Sequence, residues 1–139
     1  MFLAISLQKS DLVRLLRSDL LVFKARLDRN RVYIIGLSMG AMATYDMVAR
    51  YPELFAAAVP ICGMVDSERL ENRYATEFWI FHGDSDSVVP VEGSRRAYKA
   101  LCTSGNAPRY TEFAGCDHAS WNLAFNQRDF MGWLFSQQL

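Results

Sequence analysis

Residues able to carry unusual chemistry are few in this chain of 139: two histidines, three cysteines, three tryptophans and four prolines. Each shortage excludes something. Cys62, Cys102 and Cys116 are odd in number and show no C-x-x-C spacing, so neither a disulfide scaffold nor a C-x-x-C metal or redox centre is expected. His82 and His118 stand far apart and make no zinc-ligand pattern, so no metal is expected. Charge of one sign is also lacking: 15 basic residues balance 15 acidic ones. No basic face invites nucleic acid, and no asymmetry suggests an anionic membrane. Apolar runs fall far short of the roughly 20 residues that span a bilayer. The opening MFLAISL is apolar but has neither a charged leader nor a small-residue cleavage site, so no signal peptide is expected. Without linkers, repeats or low-complexity tracts, the chain reads as one globular cytoplasmic domain, residues 1–139, whose 51% apolar content can fill a core.

What is present alternates between helix and strand. Ser10 and Asp11 read as a cap for an amphipathic helix carrying Leu12, Leu16, Leu20, Phe23 and Leu27. Short β-rich runs follow at 32–35, 57–61, 78–81 and 109–113, the second weakly marked by its alanines. Helical patterns fall over 39–51, 91–103 and 128–138, with a short helix or loop within 66–75. Strands joined by helices predict a parallel sheet of about four strands flanked by helices, with right-handed crossovers. The class is α/β.

One pentapeptide stands out. Gly36-Leu37-Ser38-Met39-Gly40 lies where a strand ends and a helix begins. Chance alone gives such a pattern in about one chain in twenty of this length; the flanking strand and helix are what a nucleophile elbow requires. Ser38 must turn sharply to lift its hydroxyl clear of the sheet. Gly36 and Gly40 are expected to be free of Cβ atoms because strand and helix nearly touch there. The Met39 N–H, at the positive end of the helix, can donate to a developing oxyanion. The alternative is a plain glycine-flanked turn.

A serine hydroxyl needs a base. The order Ser, acid, His that goes with an elbow leaves His118, which follows both the serine and a strand-end carboxylate. His82 reads instead as a hydrogen-bonded histidine at a strand terminus. For the acid, the stretch HGDSD (82–86) offers Asp84 and Asp86, and the residues alone divide the choice evenly, one of the two capping the turn. Asp117 is disfavoured because adjacent side chains diverge. In this arrangement His118 takes the Ser38 proton and later returns it to the leaving group, while the acid fixes its tautomer.

Three stretches carry a resemblance: VYIIGLSMG (32–40), RYPELFAAAVPICG (50–63) and FHGDSDSVVP (81–90). Together they resemble the α/β-hydrolase superfamily, in its carboxylesterase/phospholipase-like and dienelactone-hydrolase-like branch. The nearest likeness is to esterases labelled predicted peptidases and to feruloyl-esterase and polyhydroxybutyrate-depolymerase relatives. The resemblance places the acid at Asp86, through the pattern His-Gly-x-x-Asp-x-x-Val-Pro, and the base at His118, in Gly115-Cys116-Asp117-His118. It implies a serine carboxylesterase that hydrolyses small or aryl esters through an acyl-enzyme, with Ser38, His118 and Asp86 as a triad and no cofactor. A thioesterase or peptidase using the same triad is the alternative within enzymes. An inactive remnant serving as an interaction or oligomerisation module is the alternative outside them.

The family pattern has about four strands before the elbow strand, and an early loop that donates the second oxyanion N–H. Neither is recognisable here, so a truncated α/β-hydrolase fold is expected, with an elbow strand at the sheet edge. A bare edge invites pairing between copies, and homo-oligomers are therefore expected; a monomer by light scattering at micromolar concentration would contradict this. Trp121 either lines an acyl or aryl pocket or packs the last helix. Met39, Met42 and Met47 either shape the substrate cleft or fill gaps. Phe130, Trp133 and Leu134 read as core, and Cys62 and Cys116 as buried thiols.

Overall fold

A computed structural model describes residues 28–139. The helix expected over 12–27 lies outside the described residues. Four strands, β1 (Tyr33–Leu37), β2 (Ala57–Ile61), β3 (Glu77–Gly83) and β4 (Arg109–Phe113), form a parallel sheet in the order β1-β2-β3-β4. The register pairs Tyr33 with Ala57, Ala57 with Glu77, and Trp79 with Arg109.

Period-two alternation sorts the strand side chains to two faces. Ile34, Ala58, Phe78 and Ile80 belong to one apolar cluster; Tyr33, Ala57, Val59, Ile61, Trp79 and Phe81 belong to another. Three successive right-handed crossovers in one direction must all pass over the same face. They do. Helix α1 (Met39–Arg50), a 3-10 turn at Ser67–Leu70 and helix α2 (Glu92–Thr103) bring Tyr45, Val48, Leu70, Ala97 and Leu101 to the first cluster. The chain after β4 covers the second face with α3 (Trp121–Phe125) and α4 (Phe130–Ser136), which bury Ala124, Phe130, Trp133 and Leu134. Trp79 is central there, stacked on Phe81 at 5.0 Å and edge-on to Trp133 at 5.1 Å.

The α/β class and the four parallel strands are as expected, and the element bounds agree within a few residues. Helix α3 was not anticipated, since five residues make little more than one turn and show no periodicity. Because all strands run the same way, their carboxyl ends share one edge of the sheet, where open α/β sheets place ligands. Ser38 follows β1, Cys62 follows β2, Asp84 and Asp86 follow β3, and His118 lies five residues past β4.

Candidate active site

Ser38 occupies φ 54°, ψ −116°, a left-handed conformation that a non-glycine residue adopts only when its surroundings enforce it. The enforcement is visible. The Ser38 N–H donates to Ile61 O at 2.9 Å, tying the turn to β2, and the Ser38 carbonyl accepts from Ala41 N at 2.9 Å to start α1. A Cβ on Gly36 would sit 2.0 Å from Gly40 O and 2.5 Å from Thr44 Oγ1, so only glycine lets β1 and α1 meet this closely. Gly40 differs from expectation: a Cβ there would meet nothing within 4 Å. Its part in the contact is its carbonyl, which fills the space beside Gly36 and accepts from Thr44 Oγ1 at 3.0 Å.

Across the strand ends, His118 Nε2 lies 3.0 Å from Ser38 Oγ, and His118 Nδ1 lies 2.8 Å from Asp86 Oδ2. The chain separations are 80 and 32 residues, so the tertiary fold alone makes these contacts. The Asp86 side chain is fully buried. Burial pushes its pKa up, but the Val89 N–H, His118 and the Val88 N–H outweigh that, and the net shift is downward. The Val88 and Val89 N–H groups donate to Oδ1 at 2.9 and 2.8 Å. A carboxyl whose folded pKa is lowered contributes stability that is full above the ordinary aspartate value of about 3.9 and is lost as pH falls through the folded value. The melting temperature is therefore expected to hold from pH 7 to about 5 and to fall below about 4. Asp86→Asn should fall less steeply over that range in thermal melts. An equal acid slope in both proteins would show that Asp86 is not held ionised.

The two carboxylates beside Asp86 take other duties. Asp84 Oδ1 accepts from Gly115 N at 2.7 Å, so it closes the turn, as one of the two aspartates was expected to do. Asp117 Oδ1 accepts from Ser87 N at 2.8 Å and from His118 N at 2.7 Å, lashing the loop after β3 to the loop that carries the histidine. These N–H bonds, that of Ser87 foremost, hold its pKa down. Gly83 permits the approach: a Cβ there would lie 2.1 Å from Cys116 O.

Met39 opens α1, where first-turn N–H groups have no partner within the helix; its side chain is 79% exposed. Met39, Met42 and Met64 line one groove of about 610 Å³ together with Val65, Asp66 and Arg69. Met47 is instead buried in the core, the gap-filling alternative of the two expected for it. Trp121 is half-buried and stands edge-on to the His118 ring, centroids 5.6 Å apart. It packs against the core cluster and the histidine at once. Among the described residues, Cys62, Asp86 and His118 bring one sulfur, one carboxylate oxygen and one ring nitrogen within 4.8 Å of one another, the set that could hold a metal. Burial pushes the Cys62 thiol up, and Asp86 and His118 are already bonded to each other, so these groups suit a proton relay better than a cation.

His82 is the residue whose proximity to the site was not foreseen. It is fully buried, with Nδ1 2.7 Å from Ser94 Oγ and Nε2 3.0 Å from Val89 O. That agrees with a hydrogen-bonded histidine at a strand end, yet the same Nε2 lies 3.1 Å from Asp86 Oδ2. The available signal was its place four residues before Asp86.

A buried-acid, imidazole and hydroxyl series on a strand-turn-helix elbow can pass a proton and activate an oxygen nucleophile. The sequence profile of the phospholipase/carboxylesterase family matches residues 6–129. The chain belongs to that family. In keeping with this membership, a thermostable esterase of known crystal structure is 38% identical and superposes with a TM-score of 0.79 over 95% of this chain and 38% of its own. The crystal structure of esterase PE8 is 28% identical, with a TM-score of 0.63 over 84% of this chain and 53% of its own. Poly(3-hydroxyalkanoate) depolymerase C of Paucimonas lemoignei is 54% identical over 37 residues, 27% of this chain and 9% of that protein. The family member described here thus spans about half, or less, of the length of these relatives.

Proposed function

We propose that the chain is a carboxylic ester hydrolase that works through an acyl-enzyme on Ser38. The observation that carries this reading is the unbroken series Ser38 Oγ, His118 Nε2, His118 Nδ1 and Asp86 Oδ2, with gaps of 3.0 and 2.8 Å. His118 accepts the Ser38 proton as Oγ attacks the ester carbonyl, and Asp86 stabilises the imidazolium that forms. The Met39 N–H donates to the oxyanion. The imidazolium then gives its proton to the departing alcohol. Water attacks the acyl-enzyme, His118 takes its proton, and Ser38 leaves with that proton to regenerate the hydroxyl.

Small or aryl esters belong to this proposal as substrates, supported by the exposed Met39 next to Ser38 and by Trp121, which stands edge-on to the His118 ring. No helix among the described residues is long and apolar enough to cross a membrane. Association of copies through β1, an outer strand of the sheet formed by the described residues, belongs to the same proposal.

The test is hydrolysis of p-nitrophenyl acetate and butyrate beside matched thioester and anilide substrates, each with Ser38→Ala in parallel. Ester turnover that disappears in the variant is the expected result. Preferential thioester or anilide cleavage would move the substrate class. Equal background rates in both proteins would overturn catalysis and leave an interaction module.

A further inference from the structure

His82 does nothing in the mechanism above, although it is fully buried against the acid. Val89 O and ionised Asp86 Oδ2 can only accept, so Nε2 carries a hydrogen whichever way the Ser94 hydroxyl turns. That hydrogen is donated to Val89 O, and the Val89 N–H in turn donates to Asp86 Oδ1. On the other side of the ring, Nδ1 lies 2.7 Å from Ser94 Oγ, whose single hydrogen is within reach of both Nδ1 and Gly63 O, the latter at 3.0 Å. Gly63 packs beneath the elbow, where a Cβ would meet Ala41 Cβ at 2.4 Å and Ser38 O at 3.2 Å. A closed circuit of contacts therefore runs Ser38, His118, Asp86, His82, Ser94, Gly63 and back to the elbow.

We infer that His82 is a positioning residue: it clamps the loop 86–89 around the Asp86 carboxylate and shares Oδ2 with His118, thereby setting how strongly the acid pulls on the base. The inference rests on Ser38, His118 and Asp86 working as proposed. Two effects follow. Without the clamp, the Val88 and Val89 N–H groups drift from Oδ1 and the imidazole loses its aim. Without an N–H beside Oδ2, more of the carboxylate charge falls on His118 and favours its protonated, inactive form. The groups facing His82 are Asp86 from the loop after β3, with His118 beyond it, and Glu112, its register partner on β4. From the face of α1, the buried Tyr45 hydroxyl lies toward Ser94 without a completed hydrogen bond. Cys62, after β2, brings its Sγ within 4.8 Å of an Asp86 carboxylate oxygen.

The variants His82→Gln, His82→Asn and Ser94→Ala test this. Glutamine can return an N–H to the Nε2 position, whereas asparagine reaches only the Ser94 side. His82→Asn is expected to lower kcat on p-nitrophenyl butyrate about 10- to 100-fold with KM within about threefold. Its acid limb should move to higher pH, and the downfield proton resonance of His118 Nδ1–H should shift. His82→Gln should recover kcat to within about threefold of the parent and restore the limb. Ser94→Ala, which keeps the histidine, should move the limb in the same direction by less. Two results would overturn the inference: equal losses in the Gln and Asn variants, or lost kcat with an unmoved limb and resonance. If His82→Asn fails to fold, an unmoved limb in Ser94→Ala overturns it alone. Undiminished activity in Ser38→Ala would instead break the triad reading, so the two failures are distinct.

Discussion

Replacing His118 by alanine is expected to lower turnover of an activated ester by a factor on the order of 10⁴ to 10⁶, with the fold intact. The loss is large because an elbow serine without a base is an ordinary alcohol, and nothing else within reach of Ser38 Oγ supplies that base among the described residues. The fold should survive because His118 sits on a loop, is 19% exposed, and bonds through its ring only to Ser38 and Asp86. Asp86→Asn should cost about 10⁴, since an amide nitrogen can face Nδ1 and favour the tautomer that cannot take the serine proton. In the proposed triad the three groups would act as one unit, so the double variant should be no slower than His118→Ala alone. Steady-state rates with p-nitrophenyl butyrate check all three. Losses that multiply in the double variant would mean that Asp86 and His118 act separately.

The second large effect concerns the fold. Gly36→Ala places a methyl 2.0 Å from one backbone oxygen and 2.2 Å from its carbon, both belonging to Gly40 on the opposing helix. Backbone cannot swing aside as a flexible side chain would, so α1 must retreat from β1. A destabilisation of about 3 kcal/mol or more is expected, with a melting temperature lower by on the order of 10 °C. Any protein that still folds should be inactive, because the retreat carries Ser38 away from His118. Gly40→Ala is the control: its Cβ meets open space on a helix, where alanine is favoured over glycine by up to about 1 kcal/mol. Thermal melts should separate the two variants in opposite directions. Equal losses would contradict the close strand-helix contact.

That contrast also shows how far the residues themselves disclosed the molecule. The α/β class, the four strands and the elbow could be read directly, because buried parallel strands are short apolar runs and the elbow has fixed residue types. The separate duties of the two outer glycines could not be read, since Gly-x-Ser-x-Gly does not say which one faces backbone. The choice between Asp84 and Asp86 was likewise closed to the residues alone. It depends on which loop each side chain meets: Asp84 bonds to Gly115, Asp86 to His118. Asp117 was set aside because it adjoins His118, and that adjacency is what lets it bond to the His118 N–H and hold the loop. Met47 was grouped with Met39 by proximity in the chain; helical rotation turned it into the core instead. His82 was understood as a strand-end histidine, but its contact with Asp86 needed the loop 86–89 to fold back over the ring.

Catalysis as proposed requires that Ser38 become acylated with the help of His118. The most direct measurement is mass spectrometry of the protein after incubation with an alkyl fluorophosphonate, compared with His118→Ala. One covalent adduct is expected on the peptide containing Ser38, and almost none in the variant over the same time. An unlabelled Ser38 in a protein that still hydrolyses esters, or an adduct at Cys116 in its place, would contradict it.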